Sequence, residues 1–318
     1  MPTAISGGSR IRTNTPAENA YNALQSASNN IALRQLRLST GKRINSAADD
    51  VAGYITSRAL QARNGALKSA LNSVGDATNV TSITQDALDN INTLLTSIKD
   101  ATATASSGAL GTDEKVALAK GAFRLAQQIQ FVVDSTVFGG KQLLQGGFSG
   151  DWTIGYYANN TLLTIGIDLT TGNGDFNVTS NNFNINATSS ATAPGGNTNI
   201  FAGVTSLNLQ SLDEVSNTNL GVFANSQIST TLYSLSEALN NVNKVASYLG
   251  AIQVRLGSQE ELLKSQVTNY NSAISRIEDA DVATEQLSLV KSQFLQSASL
   301  TSLAQANQNP SAFLQLFR

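Results

Sequence analysis

The sequence predicts a mainly α-helical chain with a small β-rich insertion. Its N- and C-terminal segments are expected to pair as long coiled-coil helices, around a central region of short strands. Three observations predict this. A 3,4 alternation of apolar residues runs from Leu232 to Ile277, and a sustained repeat of that kind specifies a helix wrapped on a partner. A second apolar stripe in the N-terminal half supplies the partner. Between them, composition changes to Gly, Asn, Thr and Ser, with apolar residues at every second position.

Residues 18–43 read as an amphipathic helix, with Ala20, Leu24, Ala27, Ile31 and Leu38 on its stripe and Leu33 and Leu36 widening it. A second long helix carries Leu67, Leu71, Val74, Leu88, Ile91, Leu95 and Ile98; its polar gap from Gly75 to Gln85 is bridged by Ala77. Ser106–Gly111 reads as a loop. Thr112 is the expected N-cap of a third helix, with Asp113 and Glu114 favourable in its first turn. Val116, Ala119, Phe123, Ala126, Ile129 and Val133 share one face of that helix. From about Gly146 to Gln210, Trp152, Ile154 and Tyr156 alternate, as do Leu163, Ile165, Ile167 and Leu169; Phe176, Val178, Phe183 and Ile185 continue the pattern, which is that of strands and turns. The run from Leu232 visits Leu235, Leu239, Val242, Ala246, Leu249, Gln253, Leu256, Glu260, Leu263, Val267, Tyr270, Ile274 and Ile277. At the helical rise per residue it would be about 70 Å long. A C-terminal arm follows, with Leu287, Val290, Phe294, Ala298, Leu300 and Leu303, and a last cluster of Phe313, Leu314, Leu316 and Phe317.

Composition excludes much catalytic chemistry. The chain has no Cys and no His. That removes disulfides, thiolate nucleophiles, zinc–thiolate sites and His-dependent triads and shuttles. No cofactor, metal or catalytic residue is expected. Charged residues make up 13% of the chain and the net charge is −2, so nothing draws the whole molecule to nucleic acid or an acidic membrane. No apolar run reaches membrane-spanning length. The N-terminus lacks the basic and apolar regions of a cleaved secretory signal, so export without one is expected.

The two ends are complementary in charge. Up to Asn45 the first arm carries Arg10, Arg12, Arg34, Arg37, Lys42 and Arg43 against Glu18, while Glu278, Asp279, Asp281 and Glu285 open the second. Pairing of one arm with the other is the simplest reading of these charges. Two readings fit the apolar stripes: terminal helices docked on the chain's own core, or arms whose stripes are buried against neighbouring copies. Alone, each arm would be a marginal helix.

Leu38–Gly53, read as LSTGKRINSAADDVAG, resembles the LSSGLRINSAKDDAAG stretch of bacterial flagellins. Ser275–Glu285, SRIEDADVATE, is similar to the family's SRIEDADYATE, and Leu303–Gln308 repeats its LAQANQ. The resemblance covers roughly residues 15–145 and 225–318. It implies a flagellar filament subunit: a helical homopolymer, shared in some filaments with other flagellins. Residues 1–45 and 279–318 would form an inner terminal domain, 46–145 and 211–278 a helical rod, and 146–210 an outer domain. Leu24, Ala27, Ile31, Leu38, Leu287, Val290, Phe294, Leu300, Leu303, Phe313, Leu314, Leu316 and Phe317 are the expected subunit-interface residues. Arg43, Asn45, Asp49, Asp50, Arg276, Glu278, Asp279 and Asp281 carry over as the inter-domain junction. The implied partners are a flagellin export chaperone, the filament cap protein and the hook–filament junction protein, with export through the flagellar type III apparatus.

One departure matters. Flagellins seen by the innate flagellin receptor carry an Arg-rich QRVRELAVQ patch, and the corresponding stretch here is Thr96–Thr104, with Ser97 in place of the first Arg. Ser cannot reproduce the planar multi-donor contact of Arg, so weak receptor recognition is expected. Other motifs carry little. Gly41-Lys42-Arg43 lacks the rest of a phosphate loop. Gly172-Asn173-Gly174-Asp175 is a lone turn signal, and Asn177-Val178-Thr179 a chance triplet in so Asn- and Thr-rich a chain. Nothing places Asp49-Asp50 and the 278–281 acids about a sugar as a glycosidase pair. The alternatives from other classes are a hook–filament junction protein, which shares such helical ends, and a filament-borne adhesin acting through residues 150–205. An enzymatic insertion is remote, since its only acids are Asp151, Asp168 and Asp175.

Overall fold

The computed structural model describes residues 14–156, 162–170 and 209–316. Phe176, Val178, Phe183, Ile185, Gly172–Asp175 and Asn177–Thr179 lie outside the described residues, as do Arg10, Arg12 and Phe317. Among the described residues five helices and two small hairpins follow in order: α1 (Thr15–Thr40), α2 (Val51–Ala105), α3 (Thr112–Ser135), β1 (Val137–Phe138), β2 (Lys141–Gln142), β3 (Ser149–Tyr156), β4 (Leu162–Asp168), α4 (Ile228–Glu278) and α5 (Val282–Leu316). Short 3-10 turns occupy Leu209–Leu212 and Gly221–Phe223. The chain divides into two compact units, Met1–Gly65 with Val267–Arg318, and Ala66–Gln266. Among the described residues no helix is long and apolar enough to cross a membrane.

The second unit has an apolar core. Along α2, Leu67, Ala70, Val74, Ala77, Thr81, Thr84, Leu88, Ile91, Leu95, Ile98, Thr102 and Ala105 are all buried. The 3,4 repeat is therefore unbroken, and the expected polar gap is filled by threonine. Thr81 and Thr84 donate their hydroxyls to Ala77 O (2.8 Å) and Val80 O (2.7 Å), one turn back. With the hydroxyl so satisfied, threonine presents a methyl to the seam.

On α4 the buried stripe is Leu235, Ala238, Val242, Val245, Leu249, Ile252, Leu256 and Leu263. It shares Leu235, Val242, Leu249, Leu256 and Leu263 with the repeat read from sequence. Its other rank is Ala238, Val245 and Ile252, whereas Leu239, Ala246, Gln253 and Glu260 flank the seam half-buried. Gln253 and Glu260, the polar exceptions in the repeat, thus leave the seam. Gln259, next in that rank, donates to Ile154 O of β3 at 3.1 Å.

On α3 the stripe is Lys115, Ala119, Ala122, Ala126, Ile129 and Val133, with Val116 and Phe123 half-buried beside it. The N-cap is Gly111, without a side-chain capping bond. Thr112, the expected cap, is instead the first helical residue. Lys115 is buried and donates to Asn225 Oδ1 at 2.7 Å.

The β elements are antiparallel hairpins. β1 and β2 turn through Gly139 and Gly140, both at positive φ (57° and 79°), which suits a two-residue hairpin loop. β3 pairs β4 from Ser149↔Asp168 to Tyr156↔Leu162, with a register shift between Thr153 and Gly155. Ile154, Ile165, Ile167 and Leu169 are buried, as their alternation predicts. The Tyr248 hydroxyl of α4 accepts from Asp168 N at 3.2 Å.

Candidate functional site: the paired terminal helices and their elbow

In the first unit α1 lies along α5. Asn14 opens α1: its Oδ1 accepts from Ala17 N at 3.2 Å, and its Nδ2 donates to Ala306 O at 2.9 Å. One side chain therefore caps α1 and ties its start to α5. Gly41, at φ 69°, ends α1 in the left-handed conformation that glycine adopts at least cost. Ala17, Ala20, Leu24, Ala27, Ile31, Arg34 and Leu38 form the covered stripe of α1, with Ala27 fully buried.

The covered stripe of α5 is small and polar: Glu285, Ser288, Ser292, Gln296, Ser299, Leu303 and Ala306. Arg34 Nη1 donates to Glu285 Oε2 at 2.7 Å and Arg37 Nη1 to Glu285 Oε1 at 3.3 Å. Burial pushes the Glu285 carboxyl up, but the hydrogen bonds and charges of Arg34 and then Arg37 outweigh it and hold it below the ordinary glutamate value. The basic arm thus pairs with the acidic one, as the charges suggest.

Most of the large apolar residues in the described part of α5 point the other way. Leu287, Val290, Phe294, Leu295 and Leu300 are all exposed, Phe294 at 73%. Tyr21 and Leu36 of α1, Val51 and Ile55 of α2 and Val282 of α5 are exposed too. Among the described residues of this unit the buried ones are mostly polar, namely Ser57, Asn64, Glu278, Glu285 and Ser292, beside Ala27, Ile44 and Ala306. Its polarity is the reverse of a globular unit, where charges stay outside and large apolar groups inside.

An elbow joins the helices. Lys42 and Asp279 form a two-stranded bridge, with Arg43 N donating to Glu278 O at 2.6 Å and Ala280 N to Gly41 O at 2.9 Å. Buried Glu278 accepts from Lys42 Nζ at 2.5 Å and from Gln61 Nε2 of α2. Arg43 Nη2 donates to Ile277 O at 2.7 Å, and its contact with Asp50 is a loose 4.0 Å. Asn45 Nδ2 donates to Lys42 O at 3.0 Å. Asp49 Oδ2 accepts from Ser46 N (2.8 Å) and Asn45 N (3.0 Å), and those backbone bonds hold its carboxyl below the ordinary value.

Two aspartates start the helices that leave the elbow. Asp50 Oδ1 accepts from Gly53 N at 2.9 Å, capping α2. Asp281 Oδ1 accepts from Ala283 N at 2.9 Å and its Oδ2 from the Thr284 hydroxyl at 2.9 Å. The Thr284 hydroxyl, then the backbone bonds, lower the Asp281 pKa. Arg276 is exposed in the last turn of α4.

The residues expected to act together therefore separate. Leu24, Ala27, Ile31, Leu38 and Leu303 lie in the α1–α5 seam of one chain, whereas Leu287, Val290, Phe294 and Leu300 face outward. Phe313, Leu314 and Leu316 belong to α5, but their side chains, like Phe317, are outside the described residues. Asn45, Asp49, Asp50, Glu278, Asp279 and Asp281 meet in the elbow or cap its helices. Sequence reasoning paired the arms of Lys42, Arg34, Arg37 and Glu285 by charge without assigning partners, and missed Gln61. Nothing in a single sequence marks Gln61.

Comparison with known proteins agrees with this architecture. Residues 11–149 match the bacterial flagellin N-terminal helical region, and residues 232–317 match the bacterial flagellin C-terminal helical region. The chain is 28% identical to a flagellin of Bacillus subtilis (strain 168), over 97% of this chain and 100% of that protein. It is 26% identical to flagellin C of Vibrio anguillarum, over 96% of this chain and 98% of that one. A flagellin of Halalkalibacterium halodurans is 27% identical, over 97% and 99%. The chain belongs to the bacterial flagellin family, and is a self-polymerising structural subunit of the extracellular flagellar filament, serving motility rather than catalysis.

Proposed function

We propose that this subunit enters the filament through the outward apolar face of α5. Leu287, Val290, Phe294 and Leu300 would bury against neighbouring copies, joined by Tyr21 and Leu36 of α1 and by the cluster Phe313, Leu314, Leu316 and Phe317. Leu24, Ala27, Ile31, Leu38 and Leu303 act from behind, by holding α5 on α1. The observation that supports this reading is the inverted polarity of the first unit, with Glu285 covered and Phe294 bare. A side chain such as Phe contributes about 1.5–3 kcal/mol when fully buried, so an uncovered row of them favours association strongly.

In this reading residues 1–45 and 279–318 form the inner layer, 46–145 and 211–278 the helical rod, and 146–210 the outer face. The elbow of Arg43, Asn45, Asp49, Asp50, Arg276, Glu278, Asp279 and Asp281 is the junction between inner layer and rod. Export through the flagellar type III apparatus, an export chaperone, the cap protein and the hook–filament junction protein complete the proposal. Recognition by the innate flagellin receptor is weak, because exposed Ser97 stands where the receptor would need an arginine and its hydroxyl already donates to Thr93 O at 3.0 Å. A reporter-cell assay showing full potency would overturn that point.

The main test is deletion of the last ten residues. Purified variant chains are expected to keep α4, by circular dichroism, yet to stay in the supernatant when seeded and sedimented. Normal filaments from this variant would refute the proposal.

A further inference from the structure

Glycine has a visible reason at some positions of this chain and none at others. At Gly53 a Cβ would lie 2.5 Å from Asp50 Oδ2 and 2.6 Å from Ile44 Cδ1. Gly65 and Gly75 in α2, Gly121 in α3, and Gly250 and Gly257 in α4 are different. Each sits in a helix interior, and a Cβ there would meet no atom within 4 Å beyond its chain neighbours and its own helix backbone. Alanine would fit at every one. A helix-interior glycine nonetheless weakens its helix relative to alanine, because it loses more backbone freedom on ordering.

Their placement is regular. Gly65 follows buried Asn64, Gly75 follows Val74, Gly250 follows Leu249 and Gly257 follows Leu256, while Gly121 precedes buried Ala122. At each site the helix is anchored by a covered side chain next to a backbone position of weak helical preference. Thr78, Thr81, Thr84 and Thr102 add to the weakness of α2, each spending its hydroxyl on a carbonyl one turn back.

We propose that Gly65, Gly75, Gly121, Gly250 and Gly257 are softening positions. At these points α2, α3 and α4 open locally when the neighbouring covered contact is released. The long helices then yield in short segments rather than as whole rods, and their helicity depends on side-chain packing more than on the helix itself.

The test is native-state hydrogen exchange on the full-length monomer, beside the single Gly→Ala variants and the combined one. Amides in the turn around each glycine are expected to exchange faster than those midway between glycines. Each alanine slows exchange in its own turn by about two- to five-fold. The combined variant keeps its fold, reported by the fluorescence of Trp152, and still adds to filament seeds. Uniform protection along the helices, or alanines that slow nothing, would overturn the proposal. So would unchanged exchange with loss of seeded growth, which would assign the glycines to close approach between copies.

Discussion

Phe294 and Glu285 share helix α5 with their burial exchanged: the phenylalanine is 73% exposed and the carboxylate 6%. Folding of the single chain therefore takes little from Phe294, and in the proposed filament contact association would take a great deal. Phe294→Ser should change monomer stability by no more than about 0.5 kcal/mol, the usual range for a surface substitution. Losing a ring that association buries should raise the critical concentration for seeded growth by about tenfold or more. The check is a pair of measurements on one sample, thermal melting and sedimentation after seeding. A variant that melts early yet polymerises normally would place the ring inside the monomer.

Acid should loosen the first unit. Glu285, Asp49 and Asp281 all have folded-state pKa values below their ordinary ones. A depressed carboxylate stabilises the fold above its unfolded pKa, about 4, and that stability is lost as pH falls through the lower folded value. Pairing of α1 with α5 is therefore complete above about pH 5 and weakens below about pH 4. Glu285→Gln should cost about 1–3 kcal/mol at neutral pH, the range for hydrogen bonds to charged groups, and should flatten the acid limb. Proteolytic cleavage of the terminal helices against pH, in both proteins, measures this; parallel curves would exclude Glu285 as the titrating group.

The coarse fold was legible because burial here follows period. The 3,4 spacing of Leu235, Val242, Leu249, Leu256 and Leu263 marks α4, and the alternation of Ile165, Ile167 and Leu169 marks β4. The phase of the α4 seam was less legible. Leu239 and Ala246 are as apolar as Ala238 and Val245, so two adjoining stripes compete, and only packing decides between them. The terminal site was legible in its charges and in the resemblance of its motifs. Which α5 residues face out was not, since apolar side chains are spread around that helix while its covered stripe is mostly serine, glutamine and glutamate. A pattern reader looks for the apolar face inside, and here it lies outside.

Gly53 has a steric duty that a small surface-loop residue would not have. A Cβ there would reach Asp50 Oδ2 at 2.5 Å and Ile44 Cδ1 at 2.6 Å. Asp50 is the carboxylate that caps α2, and Ile44 is among the few buried apolar side chains of the first unit. Gly53→Ala should displace both and cost about 1–3 kcal/mol, the range for overpacking combined with a lost cap. Gly41→Ala acts by backbone strain alone, because nothing lies within 4 Å of its Cβ and its φ is 69°; about 1–2 kcal/mol is expected. An additional Asp50→Ala change should relieve part of the Gly53→Ala penalty and none of the Gly41→Ala penalty. Chemical denaturation of these four variants, against the unsubstituted protein and Asp50→Ala alone, reads this, and equal relief in both backgrounds would dismiss the steric account.

Thr81 sits in an apolar seam at 0% exposure, with its hydroxyl returned to Ala77 O at 2.8 Å. That carbonyl faces a position where the helix already offers its backbone N–H, so the hydroxyl bond is a surplus one. Valine fills nearly the same volume without a polar atom, and the β-branch keeps the same side-chain stiffness. Thr81→Val should therefore be neutral or stabilise the second unit by up to about 1 kcal/mol, because both the polar group and its need for a partner vanish. Thr81→Ser keeps the hydroxyl and loses the methyl, and should cost about 1 kcal/mol for the buried group removed. The opposite order of the two variants in urea denaturation would mean that the hydroxyl, rather than the methyl, is what the seam uses.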